Sequence, residues 1–233
     1  MEAIVLAGGF GTRLQKVVND LPKSMALIND KPFLEYLLNF LTGQGIQKVI
    51  LSVGYKREMI REHFKDHFKH LAISYAIEEE PLGTGGGILN AMEQVEGDSV
   101  FAMNGDSMFR IDLPAMKHLH ESSAADLTMA LRYLEDTSRF GTVQIDEEKR
   151  VTGFFEKDPD SEPGYINGGI YLINKKFLDS DVFGKKFSIE KDCFETCYKD
   201  SRIVGYPAKG YFLDIGIPED YMTAQDDFKK FDD

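Results

Sequence analysis

The stretch AIVLAGGFGTRL, residues 3–14, decides the fold that this chain is expected to adopt. Its first five residues are apolar and predict a short buried strand, and a turn with three glycines follows directly. Glycines allow a backbone to approach a phosphate chain closely and to aim successive N–H groups at it. The stretch therefore predicts a strand that ends in a phosphate-binding turn.

Outward from this stretch, strand-like segments alternate with segments of helical spacing. Further strands are predicted at 48–53, 72–77 and 99–103, and helices at 33–41, 58–68 and 87–95. Such alternation implies right-handed crossovers and an α/β fold: a Rossmann-like, mostly parallel sheet with helices on both faces. In such sheets ligands bind at the carboxyl ends of the strands, so functional residues are expected just after strands.

The second half of the chain is richer in strands. Strands are predicted at 126–132, 141–145, 151–156 and 168–173, and helices at 189–198 and 218–228. This pattern predicts an extension of the sheet and a small antiparallel lobe over its carboxyl edge. No linker or internal repeat divides the sequence, so we expect a single domain over 1–233.

The composition narrows the classes of function. With 42% hydrophobic and 28% charged residues, the chain is ordinary for a soluble globular protein. A net charge of −12 argues against binding nucleic acid or anionic membranes, which require a basic face. No apolar run approaches the roughly 20 residues of a membrane span, and no signal peptide is recognisable. A cytoplasmic location is the expectation.

The glycine-rich turn does not match the common nucleotide-binding motifs. No Gly-Lys-Ser/Thr follows, as a P-loop requires, and Leu14 stands where the dinucleotide fingerprint has its third glycine. Arg13 instead adds a permanent charge and a fork of donors suited to phosphate oxygens. A turn that ends in Thr12-Arg13 is more specific than a glycine-rich turn alone.

Together with Pro22-Lys23, the motif GGFGTRL at 8–14 resembles the sugar-phosphate nucleotidyltransferases. Five further blocks follow in the order of that family: EPLGTGG at 80–86, NGD at 104–106, EK at 156–157, NGGIY at 167–171 and DIGIPE at 214–219. Within the family, the chain looks most like the guanylyltransferases of D-glycero-D-manno-heptose 1-phosphate, followed by those of mannose 1-phosphate. Ser24 and Ile217 depart from the residues usual in the family.

The resemblance implies the substrates and a role for each matching residue. The substrates are a nucleoside triphosphate, GTP by preference, and a sugar 1-phosphate; the products are a nucleotide-sugar and pyrophosphate. Residues 1–110 correspond mainly to a nucleotide-binding half, and 111–225 to a sugar-phosphate half that includes the antiparallel lobe. The implied catalytic residues are Arg13 and Lys23. The implied nucleotide-binding residues are Leu6, Gly8, Gly9, Gly11, Thr12, Glu80 and Gly85, and those for the sugar phosphate are Gly141, Glu156, Lys157 and Asn167.

Asp106 and Asp214 occupy the family's two metal positions. Asp106 ends a predicted strand, and Asp214 follows an apolar pair in the same way. A carboxylate at a strand end packs poorly but suits a hard cation, which prefers oxygen ligands. The resemblance implies that the two residues hold Mg²⁺ between the substrates.

Glu80 is the residue that we expect to read the base. It precedes Pro81, which favours an extended backbone. An ionised carboxylate only accepts hydrogen bonds, and guanine offers two adjacent donors on its Watson–Crick edge. The alternative is that Glu80 is merely the last residue of an exposed acidic run at 78–80.

Two other classes of function remain as alternatives. A catalytically silent relative would bind nucleotide-sugars and regulate a partner, although retention of both cations and both metal positions argues against it. A nucleotide-dependent oxidoreductase is disfavoured by the broken dinucleotide fingerprint. Formation of a homo-oligomer is compatible with the sequence but not fixed by it.

Overall fold

The computed structural model describes residues 1–9, 21–158 and 162–231. Its strands are β1 (Glu2–Leu6), β2 (Leu27–Ile28), β3 (Lys31–Pro32), β4 (Lys48–Val53), β5 (His67–Phe68), β6 (Leu71–Ile77), β7 (Ser99–Asn104), β8 (Ser107–Phe109), β9 (Leu127–Leu134), β10 (Thr142–Ile145), β11 (Val151–Phe155), β12 (Gly164–Asn174), β13 (Ile203–Ala208) and β14 (Phe212–Asp214). Its α-helices are α1 (Phe33–Thr42), α2 (Arg57–Phe64), α3 (Gly83–Met92), α4 (Leu113–Ser122), α5 (Ser180–Phe183), α6 (Glu195–Cys197) and α7 (Pro218–Asp227).

The central sheet has a parallel core in the order β7-β1-β4-β6. Antiparallel strands extend it on both sides: β5 pairs with β6 at one edge, and β12 pairs with β7 at the other. Beyond β12, the sheet branches to β10 and β11 and to β9 and β13. The predicted α/β fold with a mostly parallel core is confirmed.

Helices cover both faces of the sheet because the apolar side chains of each strand alternate in direction. Val5 of β1 packs in a cluster with Leu37 of α1, on the same face as α2, α4 and α7. Ile4 of β1 packs in the opposite cluster with Ile88 of α3. All four side chains are at most 1% exposed, and burying one such side chain contributes roughly 1.5–3 kcal/mol.

A small antiparallel ribbon stands over the carboxyl ends of the parallel strands. It consists of β8, which follows β7 after a turn, and β14, which comes from the far end of the chain. This ribbon is part of the antiparallel lobe that the sequence predicts. Among the helices of the described ranges, none is long and apolar enough to cross a bilayer.

Two predicted helices have different bounds in the structure. The helix predicted at 58–68 ends at Phe64, because Lys65 has a φ of +53° and the chain then turns back as β5. The helix predicted at 87–95 begins earlier, at Gly83, and ends at Met92. Its glycine run therefore belongs to the first turns of a helix rather than to a loop.

The second half contains helical structure that the strand-rich pattern obscured. Helix α4 was missed, although Asp112 caps it by accepting a hydrogen bond from Ala115 N at 2.9 Å. The helix predicted at 189–198 starts at Ile189, but its first part is a π-helix over Ile189–Phe194 that continues into α6. Such widened turns occur frequently at functional sites.

Candidate active site

Two cavities open at the carboxyl edge of the parallel strands, and both are lined by Asp214. The first has a volume of about 730 Å³ and the second of about 500 Å³. The first is also lined by the predicted residues Leu6, Gly8, Gly9, Lys23, Glu80 and Asp106. The second is also lined by the predicted residues Gly141, Glu156 and Lys157. The sheet therefore brings the two predicted groups of binding residues into adjoining spaces.

Asp106 and Asp214 meet because of the antiparallel ribbon. Ser107 of β8 lies opposite Asp214 of β14, and Ile215 N donates a hydrogen bond to Asp106 O at 3.0 Å. Asp106 follows β7, the strand next to β1, so the ribbon delivers both carboxylates to the end of the parallel core. This pairing of distant segments places them at the junction of the two cavities.

Lys23 lies between these two carboxylates. Its Nζ is 2.5 Å from Asp106 Oδ2 and 3.4 Å from Asp214 Oδ1, and its side chain is only 12% exposed. A 3₁₀ turn over Lys23–Met25 carries it, and Ser24 Oγ in this turn donates to Ala7 O at 3.1 Å. Ser24, a departure from the family pattern, thus ties the lysine to the end of β1.

The electrostatics of this junction favour a further cation. Burial raises the pKa of Asp214 and the charge of Asp106 raises it further, whereas Lys23 and a hydrogen bond from Gly216 N lower it. The carboxylates of Asp106 and Asp214 thus share the single ammonium of Lys23 in partly desolvated surroundings, which leaves a net negative charge. Among the described residues, no group of three or more His, Cys, Asp or Glu side chains is arranged so that it could hold a metal ion by itself. A hard cation held by two carboxylates and by substrate phosphates is the arrangement that Mg²⁺ usually adopts, so the residues fit it.

The turn after β1 is packed against the turn after β4. A Cβ atom on Gly8 would lie 2.8 Å from Gly54 N, so a larger residue there would push the two turns apart. Gly9 follows at the cavity wall. The other predicted residues of this turn, Gly11, Thr12 and Arg13, lie outside the described residues.

Glu78 is a cavity residue that the sequence interpretation missed. Its Oε1 accepts a hydrogen bond from Ser52 Oγ at 2.7 Å, and its Oε2 accepts one from Leu82 N at 3.1 Å. It lines the first cavity together with Glu79 and the exposed Glu80. Glu78 directly follows β6, so the rule that ligands bind after strands could have singled it out.

The loop after β4 was missed in the same way. Tyr55 and Arg57 line the first cavity, and Arg57 Nη1 donates to Glu79 Oε2 at 3.0 Å. The second cavity holds a comparable ion pair, in which Arg139 Nη2 donates to Asp220 Oδ2 at 2.7 Å. Both arginines therefore face a cavity with a carboxylate already beside them.

In the second cavity, Glu156 and Lys157 come directly after β11. The Glu156 carboxylate is 3.9 Å from Lys191 Nζ, and both side chains are largely exposed, so this pair is weak. It leaves Glu156 available to accept hydrogen bonds from a ligand.

Gly85 and Asn167 line neither cavity in the described part of the chain. Gly85 N donates to Phe187 O at 3.0 Å. Asn167 Nδ2 donates to the Tyr171 hydroxyl at 2.8 Å, and Asn167 Oδ1 accepts from Gly169 N. The polar groups of both residues are thus bonded within the protein, and their predicted substrate contacts stay predictions.

The sequence of this chain is similar to those of known proteins. Residues 2–230 match the nucleotidyl transferase family. The chain is 46% identical to D-glycero-alpha-D-manno-heptose 1-phosphate guanylyltransferase of Aneurinibacillus thermoaerophilus, over 99% of this chain and 100% of that protein. It is 37% identical to mannose-1-phosphate guanylyltransferase of Mycobacterium tuberculosis, over 97% of this chain and 64% of that protein.

A solved structure is similar over the whole chain. HddC from Yersinia pseudotuberculosis complexed with GMP-PN superimposes with a TM-score of 0.84 and 37% identity, over 99% of each chain. The predicted resemblance and the enzyme class are thereby confirmed. The chain belongs to the nucleotidyl transferase family.

Proposed function

We propose that this enzyme transfers GMP from GTP to D-glycero-α-D-manno-heptose 1-phosphate, forming a nucleotide-sugar and pyrophosphate. The observation that carries the proposal is the pair of adjoining cavities that share Asp214, with Lys23 and Asp106 beside it. The first cavity takes the nucleotide and the second takes the sugar phosphate. The heptose and guanine follow from the relative with 46% identity and from the similar structure complexed with GMP-PN.

The reaction requires positioning more than acid–base chemistry. An oxygen of the sugar phosphate attacks the α-phosphorus of GTP, and the bond from that phosphorus to the bridging oxygen of the departing pyrophosphate breaks. The attacking phosphate is already largely ionised, since its second pKa is about 6. The protein must bring two polyanions together and stabilise the charge that develops between them.

Lys23 and Arg13 supply fixed positive charge for this purpose. Lys23 lies where the two cavities meet, so it neutralises the attacking phosphate and the α-phosphate. Arg13 acts on the triphosphate and on the departing pyrophosphate. The N–H groups of Gly8, Gly9, Gly11 and Thr12 bind the phosphates, and Leu6 contacts the nucleoside. Gly141, Glu156, Lys157 and Asn167 are assigned to the sugar phosphate.

Enzymes of this family generally use a divalent metal ion. We propose that the ion is Mg²⁺ and that Asp106 and Asp214 hold it. When bound, it neutralises phosphate charge between the two substrates. The negative charge of the two carboxylates makes the site selective for a cation.

A carboxylate on the wall formed by residues 78–80 reads the guanine base. Glu80 is the residue that the sequence favours, and Glu78 is the one that the structure adds. Glu78 has the firmer geometry, because its carboxylate is fixed by Ser52 and Leu82 while Glu80 is exposed. A carboxylate matches the two adjacent donors of guanine, whereas uracil presents one donor between two acceptors.

The proposed reaction is tested by release of pyrophosphate. The protein is mixed with GTP, Mg²⁺ and either the heptose 1-phosphate or mannose 1-phosphate, and kcat/KM is compared. A higher value for mannose 1-phosphate would assign the other guanylyltransferase activity. Binding of both substrates without pyrophosphate release would identify a silent relative. The cytoplasmic location and the oligomeric state stay predictions.

Three matched substitutions test which carboxylate reads the guanine base: Glu78→Gln, Glu80→Gln and, as a control, Glu79→Gln. The ratio of kcat/KM for GTP to that for UTP should fall roughly 10- to 100-fold in the variant that lacks the base-reading carboxylate, since one mismatched buried group costs about 1–3 kcal/mol. We expect the larger fall at Glu78. Glu79 pairs with Arg57, so its variant should keep the parental ratio. An unchanged ratio at both 78 and 80 would exclude a carboxylate as the reader.

A further inference from the structure

Glu190, at the start of the π-helix, lies at the centre of a polar network. Its Oε2 accepts hydrogen bonds from Thr84 Oγ1 at 2.8 Å and from Ser188 Oγ at 2.9 Å. Its Oε1 accepts the longest bond of the three, from the Tyr171 hydroxyl at 3.5 Å. Three hydroxyl groups from three segments therefore point at one carboxylate.

On one side, this network reaches the wall of the first cavity. Thr84, in the first turn of α3, lines that cavity, and its Oγ1 also accepts a hydrogen bond from Ile189 N at 2.9 Å. Phe187 reinforces the contact, since Phe187 N donates to Leu82 O and Phe187 O accepts from Gly85 N. A Cβ atom on Gly85 would overlap the Phe187 ring, so the glycine permits this close approach.

On the other side, the network reaches Asn167, which is predicted to face the sugar, by way of Tyr171. Tyr171 of β12 is fully buried, and burial together with the nearby charge of Glu190 holds the pKa of its hydroxyl well above the usual value. The hydroxyl therefore stays protonated, donates to Glu190 and accepts from Asn167 Nδ2. The remaining oxygen of Asn167 accepts from Gly169 N and fixes the turn of the NGGIY motif.

We propose that Glu190 is a positioning residue that couples binding of the nucleotide to binding of the sugar phosphate. The inference rests on the proposed function, since it assigns one substrate to each side of the network. Glu190 lines neither of the two cavities among the described residues, so it acts through other residues. These are Thr84, which lines the first cavity, and Asn167, which the proposed function assigns to the sugar phosphate. When the nucleotide orders Thr84, the shared carboxylate orders Tyr171 and with it Asn167.

The chemistry of the network requires a carboxylate at position 190. The Thr84 hydroxyl accepts a hydrogen bond from a backbone N–H, so its own hydrogen needs an acceptor. The Tyr171 hydroxyl accepts a hydrogen bond from Asn167, so its hydrogen needs an acceptor too. Only a group that accepts on both of its ends satisfies both hydroxyls. A glutamine satisfies one of them with its oxygen and turns its amide donors toward the other.

The test measures the coupling at equilibrium, with the proposed heptose 1-phosphate and α,β-methylene-GTP, a GTP analogue that cannot release pyrophosphate. The affinity for the heptose 1-phosphate is measured by calorimetry with Mg²⁺, with and without a saturating amount of this analogue. The parent should bind the sugar phosphate roughly 5- to 100-fold more tightly with the analogue present, the usual range for coupled sites. Glu190→Gln and Tyr171→Phe should reduce this factor to near one.

Matched variants separate coupling from a loss of stability. Thr128→Val removes a different buried hydrogen bond, the one between Thr128 Oγ1 and His120 Nδ1 at 2.9 Å, and should leave the coupling factor unchanged. Thr84→Val should lose the coupling, and Thr84→Ser, which restores a hydroxyl, should regain it. If Glu190→Gln does not fold, the Tyr171 and Thr84 variants decide whether the network couples the two sites.

The outcomes also separate this inference from the proposed function. A parent protein that releases no pyrophosphate from GTP and the heptose 1-phosphate overturns the proposed function. An active parent without coupling, or a Glu190→Gln protein that keeps the parental factor, overturns the positioning role alone. Loss of coupling in Thr128→Val to the same extent would overturn it too, because the effect would then be a general loosening of the fold.

Discussion

Replacing Lys23 by methionine should lower activity and, at the same time, strengthen the response of the folded protein to Mg²⁺. The ammonium of Lys23 contacts both Asp106 and Asp214, and these two side chains are 33% and 40% exposed. Breaking a buried ion pair by removing one partner costs about 3–5 kcal/mol. Because the carboxylates are partly solvated, we expect a smaller loss of unfolding free energy, about 1–3 kcal/mol.

The catalytic effect of the same substitution should be larger than this loss of stability. Removing one preorganised group that stabilises developing charge typically lowers kcat by about 10²- to 10³-fold. The two carboxylates of the variant also lose the cation that competes with a metal ion for them. Mg²⁺ should therefore bind the free variant roughly tenfold more tightly, and its melting temperature should rise more steeply with Mg²⁺ concentration.

Lys48→Met is the matched control for this experiment. Lys48 also pairs with two carboxylates, those of Glu2 at 3.5 Å and Glu96 at 2.8 Å, but it begins β4 and lies at the opposite edge of the sheet. Pyrophosphate release and thermal melting are measured for both variants across a Mg²⁺ series. Lys48→Met should keep parental turnover and the parental response to Mg²⁺. A Lys23→Met protein within tenfold of the parental rate would refute the role given to Lys23.

The remaining predictions concern the other charged groups of the site. Arg13→Ala should lower kcat about 10³-fold with little change in KM, as expected for an arginine that stabilises transferred phosphate charge. Steady-state kinetics measure this loss, and a loss of less than about tenfold would contradict the role. Asp106→Asn and Asp214→Asn should each abolish pyrophosphate release with an unchanged circular dichroism spectrum; near-normal turnover at low Mg²⁺ would remove that residue from the metal site.

The fold could be predicted because buried parallel strands have a clear sequence signature. β1 and β4 are short apolar runs followed by glycines, and the amphipathic segments between them fall at helical spacing. The start of helix α3 was predicted wrongly because its first turns are rich in glycine, a poor helix former. Its contacts with Phe187 outweigh that propensity, and these contacts depend on the tertiary fold.

The candidate site was predicted in part, and the reason differs from residue to residue. Asp106 and Asp214 were identified from a resemblance, since nothing in their spacing shows that β8 and β14 pair. Glu78 directly follows the predicted strand at 72–77, which could have singled it out. It was passed over because an acidic run gives no indication of which side chain is held by a hydroxyl such as that of Ser52. Glu190 had no local signal at all, because its hydrogen-bond partners come from α3 and β12.

The acidic character of the chain is compatible with two polyanionic substrates because of how its cations are paired. Lys23, Arg57 and Arg139 line the two cavities, and each already contacts a carboxylate. Substrate phosphates must therefore displace these carboxylates or bind together with a metal ion that neutralises them. In the first case, removal of a carboxylate frees a cation for the phosphates. Without Mg²⁺, Asp106→Asn should consequently bind GTP at least as tightly as the parent, because Lys23 is freed. With Mg²⁺ it should fail to turn over, and this contrast distinguishes a metal ligand from a residue that simply holds the nucleotide.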